Sequence, residues 1–141
     1  MPELIGNSGS IFKHTDKIDF ATDVFCPALE LRIIRPPGQE GPGWEKKHPG
    51  SYFGVTLSYR YLGDERLGHA IGLFPSVTTS LWRFKKKVLW FEVGGGLSYL
   101  TKPFELGQNE YNNAIGSDFN NIINFRFFST FPRGSNKEWL M

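Results

Sequence analysis

This chain of 141 residues is short of the residues that most often build catalytic centres. It has one cysteine, Cys26, so no internal disulfide can form, and a lone thiol says nothing decisive about compartment. Its three histidines, His14, His48 and His69, are scattered with no partner at metal-ligand spacing, which argues against a zinc site. The formal charge of +2 is spread along the chain and leaves no nucleic-acid footprint. No apolar run approaches the ~18 residues of a spanning helix. The opening MPELIGNSGS has neither a basic n-region nor an apolar h-region, so the chain reads either as cytoplasmic or as one that starts after a removed leader.

What the chain does have is glycine (16), proline (nine) and aromatics: thirteen Phe, five Tyr and four Trp. With two Met and few Ala, this composition favours strands and turns over helices. The length suits one domain, residues 1–141. Residues 88–131 organise the rest. In their first half, Leu89, Phe91, Val93, Leu97 and Tyr99 share one face, with Gly95 interrupting the row; Glu92, Gly94, Gly96 and Ser98 share the other. In their second half, Phe119, Ile123, Phe125, Phe127 and Phe131 alternate with Asp118, Asn120, Asn124, Arg126 and Thr130. A period of two sustained this long signals strands. Both runs exceed the ~5–6 residues of an ordinary strand and approach the ~9–11 of a membrane-barrel strand.

The other strands follow in order. A short candidate covers 10–15, and ALELRIIR at 28–35 alternates. RPPGQEGPGWEKKHPG, with four Pro and four Gly, is a long loop in which Trp44 is an expected anchor. SYFGVTLSYRY at 51–61 is the clearest strand, and LGDER at 62–66 a hairpin connection. The return strand runs from Leu67 to about Trp82, with a bulge or bend expected at Pro75. The basic turn RFKKK is flanked by Trp82 and Trp90, which suits either an interfacial aromatic belt or two core tryptophans. EWLM at the end reads as a strand beginning.

The expectation is an all-β fold, an antiparallel up-and-down β-barrel with about six to seven strands in this chain. Since single-chain membrane barrels start at about eight strands, the chain reads as lacking C-terminal strands. Alternation defines two faces but not which points inward. An apolar lining would make a lipocalin-like carrier of an apolar ligand; an apolar exterior would make a membrane barrel. The residues alone show no catalytic constellation, and GGG at 94–96 reads as a barrel bend or close backbone approach, not a nucleotide loop.

Several segments run in a telling order: the early segment with His14, LELRI at 29–33, Trp44, the strand around Gly54, LGHAIGLFP at 67–75, GGGLSYLTKPF at 94–104 and NNAIGSDFNNIINFR at 112–126. Together they resemble the acyloxyacyl hydrolase family of Bacteroidetes-type bacteria, relatives of the PagL-like lipid A 3-O-deacylases. The resemblance implies an eight-stranded barrel in the outer membrane of a Gram-negative cell, reached after removal of a signal peptide. It implies hydrolysis of an acyl ester on lipid A, with lipopolysaccharide and outer-membrane lipid as partners and no cofactor or metal; a homodimer is left open. Its serine, histidine and acid would act as nucleophile, base and orienter. The family signature His-x-Ser-Asn-Gly is missing here: Ser135-Asn136 has Arg133 and Lys137 where histidine and glycine should stand. No catalytic residue carries over, and the chain is expected to stop short of that site. Asn112, Asn113, Ser117 and Asn120 remain candidates for bordering a substrate groove, although Asn and Ser also cap turns for local reasons.

Overall fold

The computed structural model describes residues 1–11, 24–35, 50–84, 87–108, 115–133 and 137–140, with the side chains described as far as Thr130. They form one antiparallel sheet in strict up-and-down order: β1 (Pro2–Gly9), β2 (Cys26–Ile34), β3 (Ser51–Tyr61), β4 (His69–Phe84), β5 (Lys87–Leu100), β6 (Phe119–Arg133) and the four-residue β7 (Lys137–Leu140). The sheet curls into a half-barrel. No helix occurs among the described residues, and none is long and apolar enough to cross a membrane, which says nothing about crossing with strands.

Side chains from distant strands show how strong the curl is. Laid flat at ~4.8 Å per strand, β2 and β5 would lie ~14 Å apart and β2 and β6 ~19 Å apart. Yet Arg32 on β2 pairs with Glu92 on β5, and Glu30 on β2 pairs with Arg126 on β6. Only a concave sheet lets these residues meet, so the face carrying them is the lumen.

That observation settles which face is inside. Along β2 the buried positions are Cys26, Ala28, Glu30, Arg32 and Ile34, while Leu29, Leu31 and Ile33 are exposed. Thr56 and Ser58 point inward on β3, Phe74, Ser76 and Thr78 on β4, and Glu92 and Ser98 on β5. The apolar row points out: Leu73 is 56% exposed, Leu97 60% and Ile123 69%.

Two expectations need correction, and one strand was not foreseen. The first strand of the sheet lies at Pro2–Gly9, while most of the candidate at 10–15 falls outside the described residues. Its inward positions are Glu3, Ile5 and Asn7, so the pattern carries little apolar contrast. The return strand starts at His69; Leu67 is instead buried against Ile115, with Ile11, Leu62 and Leu100 packed around them beneath the loops. Pro75 is not a bulge. It pairs with Val55 on one side, and the ladder to β5 passes over Phe74 and Pro75 and resumes at Ser76–Gly94 in the same register. The register shift lies between Ser80 and Trp82.

The β3–β4 connection relies on two glycines in the left-handed region, Gly63 at φ 81° and Gly68 at φ 68°. A Cβ at Gly68 would also fall 2.5 Å from the Thr101 hydroxyl, so the position excludes a side chain on both counts. Between them the Asp64 carbonyl accepts from Leu67 and Gly68 N–H, and its carboxylate takes a fork of bonds from Arg66. Those bonds hold the Asp64 carboxyl below the ordinary aspartate range.

Candidate functional site

The lumen is filled by an ionic network. Arg32, 2% exposed, donates through Nε and Nη2 to Glu3 Oε2 at 3.0 and 2.6 Å and through Nη1 to Glu92. Glu92, fully buried, also accepts from Thr78 Oγ1 and from Asn124 Nδ2, both at 3.3 Å, with Arg126 Nη1 3.8 Å away. Arg126 bonds Glu30, whose other oxygen accepts from Asn7 Nδ2 at 2.8 Å, and Asn7 Oδ1 accepts from Arg60 at 3.3 Å. The Arg32 guanidinium further stands 5.7 Å from the centre of the Phe128 ring. The chain thus ties β1 to β6 through one hydrogen-bonded cluster. Each of these charges lies on the polar phase of its strand; Glu3, Glu30, Arg32, Glu92 and Arg126 each have a partner of opposite sign, as burial of charge demands, and Arg60 donates to the Asn7 amide oxygen.

The rest of the lumen is made by size matching. Phe74 fills it from β4, and opposite stand Gly94 and Gly96, where a Cβ would fall 2.9 Å and 2.8 Å from the Phe74 side chain. The glycine run is therefore the close backbone approach expected of it, and β5 continues through it without a break.

The outer face is ordered in rows by the register. Leu31, Leu57, Leu73 and Leu97 align across four strands, and beside them Leu29, Tyr59, Ile71, Tyr99 and Phe119 align across five. At the second row's end of the sheet, Tyr59 stacks on the His69 ring and Tyr61 packs against it at a tilt, and the Tyr59 hydroxyl is 2.9 Å from His69 Nδ1. At the opposite end, exposed Trp82 stacks on Phe84. The two tryptophans beside the basic turn take different roles. Trp82 faces out, whereas Trp90 packs edge-on to Tyr52 and donates from Nε1 to Thr130 at 3.0 Å.

The sequence-derived candidates divide. Asn112 and Asn113 lie outside the described residues, as do His14, Trp44 and His48. Ser117 Oγ donates to the Phe119 carbonyl at 2.7 Å, and Asn120 Nδ2 donates to the Ser117 carbonyl at 2.6 Å. Both bonds close the turn that leads into β6, the local role such residues have in turns. His69 meets tyrosines and Thr101, and among the described residues neither a carboxylate nor a serine is one of its hydrogen-bond partners. No group of three His, Cys, Asp or Glu that could hold a metal occurs among the described residues. Cys26 is buried, its thiol pointing to the Val24 carbonyl at 3.5 Å.

One residue was missed by sequence reasoning. Asn121 is exposed and pairs with Leu97 in the register, so it stands in the apolar row of β6 between Phe119 and Ile123. The signal was present: counting in twos from Phe119 reaches Asn121 before Ile123. A cleft of about 490 Å³ also opens between the β3–β4 and β5–β6 connections, lined by Glu65, Arg66, Thr101, Lys102 and Glu105 among others, with charges of both signs. Comparison with protein-family models, with curated proteins and with solved structures returned no match to this chain.

Proposed function

We propose that this protein is a lipid-embedded β-barrel of the outer-membrane type. The observation that carries the reading is the inversion of the usual protein plan: charges paired inside, leucines, valines and phenylalanines outside. A patch of exposed apolar surface this continuous is rare on a soluble monomer. Its height also suits a bilayer. The outward row of β5 runs from Leu89 to Tyr99. Ten residue steps of ~3.3 Å, tilted by ~40°, rise ~25 Å, the height of the apolar band on such barrels. Aromatic side chains stand at both ends of that band, as at membrane interfaces. A soluble carrier of an apolar ligand calls for the opposite orientation, with the apolar row lining the lumen.

Leu73→Arg tests the reading. In the central leucine row, an arginine should lower the stability of the barrel refolded into phospholipid vesicles by about 2–4 kcal/mol. A water-bathed surface would accept the arginine with a change within about 0.5 kcal/mol, and that result would reject the membrane reading.

Within this reading, the catalytic proposal is hydrolysis of an acyl ester of lipid A. It rests on the sequence resemblance, carried most specifically by residues 94–104 and 112–126. The described residues hold no serine–histidine–acid set, so no step is assigned to them. If the coding DNA continues into His-x-Ser-Asn-Gly, the longer product should release fatty acid from lipid A, and Ser→Ala in that motif should abolish release. Release unchanged by that substitution, or no release from the longer product, counts against the activity.

A further inference from the structure

The glycines of β5 are not equivalent. Gly94 and Gly96 face the lumen, where β4 leaves no room for a Cβ. Gly95 faces out, its φ is not in the left-handed region, and the nearest atom to a Cβ there is the Ile122 carbonyl oxygen at an ordinary 3.8 Å. Folding therefore does not require glycine at 95, although glycine in a strand is unfavourable. Its absent side chain leaves a groove of about 430 Å³ in the outer wall, flanked by Phe53, Pro75, Val77, Val93 and Ile123.

Asn121 supplies a second, independent anomaly. It lies one register step from the Gly95–Ile123 pair, on the side of the Tyr99–Phe119 row. Its amide makes no hydrogen bond among the described residues, while its neighbours along the row, Phe119 and Ile123, are each 69% exposed. A polar group facing hydrocarbon needs a partner, and a lipid ester oxygen at that depth supplies one. The order from the rim inward is then aromatic row, amide, groove. An ester-linked acyl chain has the same order: headgroup, ester oxygen, tail.

We propose that the outer wall binds one acyl chain of a bilayer lipid, its tail in the groove over Gly95 and its ester carbonyl accepting a hydrogen bond from Asn121 Nδ2. This rests on the lipid-embedded reading. A second copy of the chain is a poorer occupant. Close packing of two protein walls needs several small residues in register, and around Gly95 the outward neighbours are Leu73, Val77, Val93, Leu97 and Ile123.

The test uses the full chain reconstituted in phosphatidylethanolamine–phosphatidylglycerol vesicles, extracted in mild detergent and weighed by native mass spectrometry. The unaltered protein should retain one phospholipid. Gly95→Leu, which fills the groove, and Asn121→Leu, which removes the donor, should each reduce retention about tenfold. The near-ultraviolet signal of the Tyr52–Trp90 pair reports that each variant remains folded. Equal retention by Gly95→Leu and the unaltered chain overturns the site. So does a lipid-free dimer that Gly95→Leu dissociates. If the unaltered chain fails to float with the vesicles, the membrane reading itself is lost, an outcome distinct from floating normally with no retained lipid.

Discussion

Glu92→Leu should be among the most damaging single changes in this protein, lowering stability by about 3–5 kcal/mol. Its carboxylate is fully buried and serves Arg32, Thr78 and Asn124 together, with Arg126 close by. Removing it leaves the Arg32 guanidinium in the lumen with Glu3 as its one remaining carboxylate partner among the described residues, and Glu3 belongs to the edge strand β1. The size of the loss comes less from the bond removed than from the charge left behind. The double variant Arg32→Met/Glu92→Leu should therefore be more stable than Glu92→Leu alone, since it removes both desolvated charges. Urea unfolding in detergent micelles, followed by tryptophan fluorescence, measures both. A Glu92→Leu midpoint equal to that of the unaltered chain would mean that water enters the lumen and solvates the network.

Gly96→Ala should be comparably disruptive, for a steric reason. The added Cβ would lie 2.2 Å from the Leu73 carbonyl oxygen and 2.7 Å from the Phe74 Cα. Both are backbone atoms of the neighbouring strand, so no rotamer change relieves the contact, and β4 and β5 must separate. The expected cost is at least about 3 kcal/mol, at the upper end of overpacking effects. Gly95→Ala, one residue away, points the same methyl outward, where its nearest contact is an ordinary 3.8 Å to the Ile122 carbonyl oxygen, and should be neutral or stabilising by up to about 1 kcal/mol. The same unfolding measurement compares the two. Equal effects would show that the glycines serve only strand flexibility and that the two faces of β5 are not distinguished by packing.

Much of the fold was legible because a strand reports its own periodicity. Residues 51–61, 88–99 and 119–130 alternate so regularly that both the strands and the membership of each face follow from counting in twos. The weak points have equally local causes. β1 went unread because its two faces differ little: Ile5 stands inward between Glu3 and Asn7, and Gly6 and Ser8 interrupt the outward row begun by Pro2 and Leu4. A bulge or bend is expected at Pro75 because proline cannot donate, but the register is the same on both sides of it, and the loss is absorbed where the ladder skips two positions.

Alternation, turns and the glycine–aromatic composition determined an antiparallel up-and-down sheet with two chemically distinct faces. They could not determine which face is concave, because a period of two is unchanged when the sheet is turned inside out. That was decided by contacts between strands far apart in sequence, Arg32 with Glu92 and Glu30 with Arg126, which form only when the sheet curls with the charges inside. The same curl turned Asn121 outward and Asn120 inward, although the two are adjacent in the chain.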